Sequence, residues 1–436
     1  MDKLGSILGR DSVMEGKSFD LDKTVTELVV SDDLSKKKQF AKKIREVAHK
    51  KGAYPCSINE FYMARGKGRF GGFTVPAINL RSMTYDLARS IFRVAKKNNS
   101  GVFIFEIAKS EMSYTNQSPT EYAGVVLAAA VKEGYSGPVF IQGDHFQVNA
   151  AKFKENPDKE SGGLRDLIAD AIDSGFYNID IDSSTLVDLS QQDVKRQQFP
   201  NYDFCAKLAL FIRGIEPQGV TISVGGEIGE IGHQNSTPED LHAFMVGLKE
   251  RLPKESLGIS KISVQTGTTH GGVVLPDGSV AQVNLDFNTL KTLSEIARRE
   301  YGLAGAVQHG ASTLPSEAFH KFVECETAEV HLATEFQNMI YESNHFPAEL
   351  KKKMYEWLKI NAANEAKQGE TEEQFFYKTR KKALGPFKKE IMNLPQKTRD
   401  AIAAEIENKF DFLFKQLNVV NKSSLVTKYV HSGSAS

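Results

Sequence analysis

The stretch PVFIQGDH, residues 138–145, is a short apolar run that ends in an aspartate and a histidine. Two further histidines stand in the same setting. His270 closes KISVQTGTTH, and His309 follows AVQ. Each run has the length and composition of a β-strand, and helix-length sequence follows each one. In a closed parallel barrel the carboxyl ends of distant strands meet at one mouth, so His145, His270 and His309 can share one ion. Three imidazoles with an open position form a catalytic zinc site.

Strand-like and helix-like segments alternate through the middle of the chain. We predict strands at residues 73–80, 102–107, 139–143, 178–182, 221–226, 262–266, 306–308 and 329–333. We predict helices at residues 84–97, 119–133, 164–174, 202–215, 238–251, 290–301, 315–325 and from about 335. Eight such units match an α/β protein with a (β/α)₈ TIM barrel. The rival, a doubly wound sheet, needs a glycine-rich dinucleotide turn after its first strand, which is absent.

Three parts follow from this pattern. Residues 1–70 form an N-terminal extension with a basic helical stretch at 35–51. Residues 71–345 form the barrel, which is the catalytic domain. Residues 346–436 form a helical, basic C-terminal extension that packs on the barrel or on a neighbouring subunit. Its charges are more typical of a solvated face than of a nucleic-acid site.

Composition excludes several classes of protein. The 436 residues include 55 basic and 55 acidic side chains, so the balanced charge predicts no nucleic-acid partner. Cys56, Cys205 and Cys325 are too few and too scattered for a disulfide framework. The first residues lack the apolar core of a signal peptide, and no stretch approaches membrane-spanning length. We therefore expect a cytoplasmic protein with no membrane association.

Carboxylates accompany the histidines at the predicted strand ends. Asp144 directly precedes a proposed ligand, where it can orient the imidazole or act as a general acid/base. Glu227 ends the fifth strand as a candidate catalytic carboxylate that supports a ligand histidine or the metal environment, and Glu106 ends the second. Asp180 and Asp182 alternate on one face of the fourth strand, so both point into the barrel or both away. A mouth rich in acids around a divalent ion favours a polyol or phosphosugar ligand.

Glycines and short hydroxyl side chains follow the last strands. Gly310 and Ser312 come after the seventh strand, Thr334 after the eighth, and Gly271 after the sixth. Barrels often bind a phosphate at the loops after strands seven and eight, where backbone amides can approach it. A glycine at such a point can also serve only to relieve backbone strain.

A lone histidine at a strand end is more often a buried, hydrogen-bonded side chain than a metal ligand. For His233 and His331 both a structural and a functional role stay open.

Together these motifs resemble the class II, metal-dependent ketose-bisphosphate aldolases, which include fructose- and tagatose-bisphosphate aldolases. The resemblance covers about residues 73–340 and rests on VPAINLRS, QGDHF, IDIDSSTL, GGEIGEIG, QTGTTHGG, VQHGAST and VHLATEF. It implies reversible cleavage of a fructose-1,6-bisphosphate or tagatose-1,6-bisphosphate type of substrate to dihydroxyacetone phosphate and an aldehyde. It implies Zn²⁺ at His145, His270 and His309, with Asp144 as the acid/base on the sugar hydroxyl. The implied substrate and phosphate contacts are Asn79, Gly271, Gly310, Ser312, His331 and Thr334, with a monovalent cation, Na⁺ or K⁺, nearby. We also expect a homo-oligomer, a dimer or a tetramer.

The chain departs from the family pattern at three places. Gln142 stands where the family usually has a histidine, two residues before the aspartate. His331 replaces an asparagine that usually contacts the dihydroxyacetone part of the substrate. Asn235 stands where a loop glutamate usually moves the dihydroxyacetone-phosphate proton, and Glu230 or His233 are candidate replacements.

Two alternatives to a zinc aldolase stay open. FEIAKSEMSY and QGDHF also resemble the accessory subunit of tagatose-bisphosphate aldolase, so the chain is alternatively a non-catalytic barrel subunit that supports a partner aldolase. A Schiff-base aldolase needs a desolvated lysine on an inner strand face. Its strand-end candidates are Lys109, just past the second strand, and Lys261, at the wrong end of the sixth.

Overall fold

The computed structural model of the chain describes residues 19–229, 234–267 and 285–430. Its strands are numbered here in chain order: β1 Ala53–Cys56, β2 Val75–Asn79, β3 Ile104–Ala108, β4 Gly137–Gln147, β5 Asn178–Asp182, β6 Ser223–Glu227, β7 Lys261–Val264, β8 Ala306–Gln308 and β9 Glu329–Leu332. Strands β2 to β9 lie side by side in the order β4, β3, β2, β9, β8, β7, β6, β5, and β5 pairs back with β4. All these pairs are parallel. The eight strands close, which confirms the predicted (β/α)₈ barrel.

The helices of the described residues surround this barrel. They are α1 Leu21–Val30, α2 Leu34–Lys50, α3 Asn59–Gly66, α4 Thr84–Lys97, α5 Lys109–Thr115, α6 Pro119–Lys132, α7 Ala150–Glu155, α8 Pro157–Ser174, α9 Val194–Ile215, α10 Pro238–Arg251, α11 Phe287–Arg299, α12 Phe319–Glu324, α13 Thr334–Glu342, α14 Ala348–Asn361, α15 Glu372–Thr379, α16 Lys388–Met392, α17 Gln396–Gln416 and α18 Ser423–Tyr429. None of them, as far as the chain is described, is long and apolar enough to cross a membrane.

Local capping chemistry explains where several helices begin. Thr237 and Asp240 form a reciprocal capping box at the start of α10, with a proline in the first turn. Helix α10 therefore begins and ends where the sequence predicts. The predicted start of α9 at residue 202 was wrong, because Asp193 caps the helix at the amide of Arg196 and the helix continues through Pro200.

A ninth strand was missed in the N-terminal segment. Strand β1 pairs with the first half of β4, where Ala53 lies opposite Gly137, and β5 pairs with the second half from Gln142 onward. The four residues AYPC are too short to show an alternating pattern in the sequence. Helix α3 follows β1 and buries Tyr62, whose hydroxyl donates to Glu329 on β9. Residues before position 71 therefore reach the barrel interior.

The C-terminal helices pack on the barrel helices. Helix α17 lies against α4, where the guanidinium of Arg399 is 2.8 Å from a carboxylate oxygen of buried Asp86. Of the two placements expected for the C-terminal segment, the structure shows packing on the barrel. The division into three domains stays a prediction.

Candidate active site

The predicted site residues that the structure describes lie at one mouth of the barrel. They line a cavity of about 650 Å³ at the carboxyl ends of the strands: Asn79, Asp144, His145, Glu227, His309, Gly310, Ser312, His331 and Thr334. His270 and Gly271, with the loop candidates Glu230 and His233, lie outside the described residues.

A bulge in β4 brings two consecutive side chains to this mouth. Successive residues of a regular strand point to opposite faces, so Asp144 and His145 would diverge. The register between β4 and β5 shifts between Gly143 and Phe146, and His145 has a φ of 41°. A bulge of this kind re-aims a side chain and is common next to active sites. The local geometry therefore lets both residues serve one site.

Imidazole and carboxylate groups crowd the centre of the mouth. The rings of His145 and His309 have centroids 4.0 Å apart. Nδ1 of His145 lies 3.2 Å from Oε2 of Glu227 and 3.3 Å from Oδ2 of Asp182. Burial, followed by the charge of Asp182, raises the pKa of Glu227 to about 7.

Asp144 lies between His145, His309 and His331. Its Oδ1 is 3.1 Å from Nδ1 of His331, 3.7 Å from Nε2 of His145 and 3.8 Å from Nδ1 of His309. Its Oδ2 accepts a hydrogen bond from Nδ2 of Asn79 at 3.2 Å. Burial by itself raises the pKa of Asp144, but the neighbouring imidazoles outweigh it and hold the pKa well below its ordinary value. The carboxylate is therefore ionised, and Asn79 contacts one of its oxygens while His331 contacts the other.

A buried polar network lies beneath the mouth, inside the barrel. Nζ of Lys261 donates to Oε1 of Glu329 at 2.6 Å, to Oε1 of Gln142 at 2.7 Å and to Oδ2 of Asp180 at 2.9 Å. Glu329 in turn lies 2.8 Å from Nε2 of His331. The network thus connects the first residue of β7 to the histidine that contacts the candidate acid/base.

This network argues against Lys261 as a Schiff-base nucleophile. Burial by itself lowers the pKa of Lys261, but Asp180 and Glu329 outweigh it and raise the pKa above its ordinary value. A protonated ammonium has no lone pair with which to attack a carbonyl. The other candidate, Lys109, lines the cavity, but its ammonium donates to the carbonyl of Gln147 at 2.8 Å.

One wall of the cavity carries groups suited to an anion. Thr334 begins α13, and the hydroxyl of Ser312 accepts a hydrogen bond from the amide of Glu335 in the first turn at 3.3 Å. Gly310, with a φ of 68°, adopts the left-handed conformation that favours glycine. Nη1 of Arg81 lies 3.2 Å from the hydroxyl of Thr334. A helix N-terminus with hydroxyls and a guanidinium attracts negative charge.

The donor set fits a divalent metal ion. Ligand atoms of His145, Glu227 and His309 all lie within 4.8 Å of one another, and those of Asp144, His309 and His331 do so as well. Imidazole nitrogen and carboxylate oxygen are the ligand types that zinc takes in catalytic sites.

A comparison with known protein families shows which family this chain belongs to. A sequence profile of the family described as fructose-bisphosphate aldolase class-II matches residues 66–417. The chain belongs to this family. The function it shares with the family is of the aldolase type, that of a lyase.

Solved structures of similar fold include three bacterial proteins. A probable tagatose 6 phosphate kinase from Sinorhizobium meliloti 1021 aligns at 15% identity and TM-score 0.55, over 82% of this chain and 99% of that one. The fructuronate-tagaturonate epimerase UxaE from Cohnella laeviribosi aligns at 11% identity and TM-score 0.51, over 91% and 86%. A fructose-bisphosphate aldolase from Campylobacter jejuni aligns at 19% identity and TM-score 0.49, over 85% and 96%. For the first two the likeness concerns the fold alone.

Sequence reasoning missed several residues of the site. Glu111, Arg81, Tyr62 and Glu329 were not singled out, although Glu329 and His331 alternate along β9 and so share a face. That alternation was a usable signal. The contact between Tyr62 and Glu329 spans segments far apart in the chain and has no signature in a single sequence.

Proposed function

We propose that the protein is a zinc-dependent aldolase that reversibly cleaves a ketose bisphosphate to dihydroxyacetone phosphate and an aldehyde. The substrate is of the fructose-1,6-bisphosphate or tagatose-1,6-bisphosphate type. The observation that carries this proposal is the meeting of Asp144, His145 and His309 at one mouth, in a chain of the class-II aldolase family.

Metal binding is assigned to His145 and His309, with His270 as the third ligand. Bound there, zinc would act as a Lewis acid that stabilises the negative charge developing on the dihydroxyacetone-phosphate half as the C3–C4 bond breaks. Glu227 and Asp182 face Nδ1 of His145 and orient its ring. Carboxylates that hold a ligand imidazole in this way fix its tautomer and increase its basicity.

Asp144 is the proposed acid/base. It removes the proton from the C4 hydroxyl in cleavage and returns it to the aldehyde oxygen in condensation. Its ionised state and its contacts with Asn79 and His331 support this role, because they fix the carboxylate before the substrate arrives. Little reorganisation then remains for the reaction itself.

The wall that carries Gly310, Ser312 and Thr334 is the proposed phosphate site, with Gly271 as a further contact. Binding energy from a phosphate held there would keep the reacting bond in register with Asp144. A monovalent cation, Na⁺ or K⁺, near this wall remains a prediction.

The second candidate function is a non-catalytic barrel subunit that supports a partner aldolase. The observation that favours it is Asn235, an exposed amide 3.5 Å from Oδ2 of Asp286, where relatives use a loop glutamate. An amide is no base near neutral pH, so the second proton transfer lacks its usual group at that position.

The test is aldol cleavage by the purified chain alone, over a panel of ketose mono- and bisphosphates, with and without added zinc. We expect cleavage of at least one bisphosphate, lost in the variant His309→Ala. The exposed histidine variant His320→Ala is the matched control and retains activity. Zinc-loaded protein that cleaves nothing alone, yet raises the activity of a partner aldolase, would establish the subunit alternative instead.

A further inference from the structure

Two cations of different origin face the proposed phosphate site. Arg81 lies two residues beyond the end of β2, and Lys381 belongs to a short 3₁₀ helix, Arg380–Ala383, in the C-terminal extension. Both side chains line the cavity that holds Asp144, Ser312 and Thr334. The extension thus reaches the mouth of the barrel, a placement that the charge run in the sequence did not predict.

Arg81 is held in one orientation. Its Nε is 2.6 Å from Oε1 of buried Glu111, and its Nη1 is within 3.3 Å of hydroxyl and amide oxygens on α13. Its Nη2 has no hydrogen-bond partner within the described part of the chain. A guanidinium fixed at one edge can offer its remaining donors to an anion with little loss of conformational entropy.

Lys381 is a half-buried ammonium whose charge is not balanced locally. It lies 5.6 Å from the ring of Tyr114 and makes no hydrogen bond or ion pair among residues 19–229, 234–267 and 285–430. Burial, followed by the nearby charge of Arg81, lowers the pKa of its ammonium. Glu111 is the carboxylate near both cations, and it is already bonded to Arg81.

The segment that carries Lys381 is anchored to the cavity wall. The amide of Gly385 donates to the carbonyl of Tyr114 on α5 at 3.1 Å, and a Cβ at position 385 would lie 2.5 Å from that oxygen. The hydroxyl of Tyr341 donates to the carbonyl of Arg380 at 2.8 Å. These contacts hold the backbone on both sides of Lys381 and so fix its position at the cavity wall.

We propose that Arg81 and Lys381 form the cationic half of a phosphoryl-binding site whose other half is Ser312, Thr334 and the first turn of α13. The inference rests on the proposed function in that the ligand is a phosphorylated sugar. It adds that the C-terminal extension supplies a substrate-binding residue and that the site selects a dianionic phosphoryl group. A carboxylate has fewer oxygens and less charge than the guanidinium, the ammonium and the hydroxyls together can satisfy.

The test is the affinity of the full chain for inorganic phosphate, measured by calorimetry at fixed ionic strength, with acetate as the comparison anion. The variants are Lys381→Met, Lys381→Arg and Arg81→Lys. The matched control is Lys152→Met, which removes an exposed charge from the same cavity. Loss of one charge-assisted hydrogen bond predicts about ten- to a hundred-fold weaker phosphate binding in Lys381→Met. We expect partial rescue by Lys381→Arg, weaker binding in Arg81→Lys, near wild-type affinity in Lys152→Met and weak acetate binding throughout.

Two outcomes would overturn the inference. Unchanged phosphate affinity in Lys381→Met and Arg81→Lys would remove both residues from the site. Equal losses in Lys381→Met and Lys152→Met would show long-range attraction only. Since the probe is phosphate and not a reaction, phosphate binding without cleavage activity would refute the proposed function alone. Cleavage activity with Lys381-independent phosphate binding would refute this inference alone.

Discussion

Replacing Asp144 with asparagine removes the proposed proton acceptor while it keeps the size of the side chain. The buried carboxylate accepts from Nδ2 of Asn79 through Oδ2 and contacts Nδ1 of His331 through Oδ1. In the variant the amide oxygen can keep the contact with Asn79, and the amide NH₂ can donate to Nδ1 of a neutral His331. The fold and the metal should therefore survive. A positioned acid/base contributes about 10²–10⁴-fold, and at about 1.36 kcal/mol per tenfold this corresponds to roughly 3–5 kcal/mol of barrier. We expect Asp144→Asn near the upper end, because its contacts orient the carboxylate in advance.

The assay measures the cleavage rate and the zinc content on the same sample of Asp144→Asn. The matched control is Asp182→Asn, which alters a carboxylate of the same mouth that faces His145. A group that orients a ligand imidazole affects metal affinity by about 10–100-fold, so this control should lose zinc and recover activity when zinc is added. If Asp144→Asn itself lost zinc and recovered its activity when zinc was added, the acid/base assignment would be refuted. A cleavage rate close to that of the wild type would refute it as well.

Three further predictions concern the buried network, the loop and the reaction class. Lys261→Met should lower the free energy of unfolding by about 3 kcal/mol in a urea titration, because it leaves Asp180 and Glu329 buried without their cation. Lys261 helps to depress the pKa of Glu329 to about 2, so this stabilisation is present above about pH 4.5 and is lost as the pH falls towards 2. If the loss of unfolding free energy in Lys261→Met grew as the pH fell, the proposed pairing of Lys261 with Glu329 would be contradicted. The wild type should exchange the dihydroxyacetone-phosphate proton slowly, and Asn235→Glu should speed that exchange; fast exchange in the wild type that survives removal of Glu230 and His233 would show that the loop is misassigned. Activity should survive borohydride added with substrate, since no imine forms, and irreversible loss under those conditions would revive a lysine mechanism.

The sequence predicts the barrel well because each strand carries its own signal. NIDID at Asn178–Asp182 and AVQ at Ala306–Gln308 are bounded by clear turns, and both strands have the predicted limits. Helices α4 and α10 also match their predictions. Local patterning decides these elements, since buried parallel strands alternate with amphipathic helices along the chain.

The structural features that the sequence did not predict depend on contacts between segments that are distant in the chain. Strand β1 exists because β4 has a free edge below its pairing with β5, which no local pattern reveals. The bonds of Lys261 to Asp180 and Glu329 join three strands. A lysine at the first position of a strand gives no sign of such partners.

The mouth itself was only partly predictable. Positions at strand ends identified Asp144, His145 and His309, because barrel topology alone brings them together. The bulge that lets the first two face one cavity, and the approach of Lys381 from the C-terminal extension, depend on packing.

Zinc titration of the metal-free chain, with the cleavage rate followed in the same samples, tests the central claim most directly. The account predicts that activity rises with zinc and saturates at about one ion per chain, as expected for a site of three imidazoles. It also predicts that His145→Ala and His309→Ala lose both the ion and the activity. A chain that takes up no divalent metal, or that cleaves its substrate equally well in excess chelator, would contradict the account.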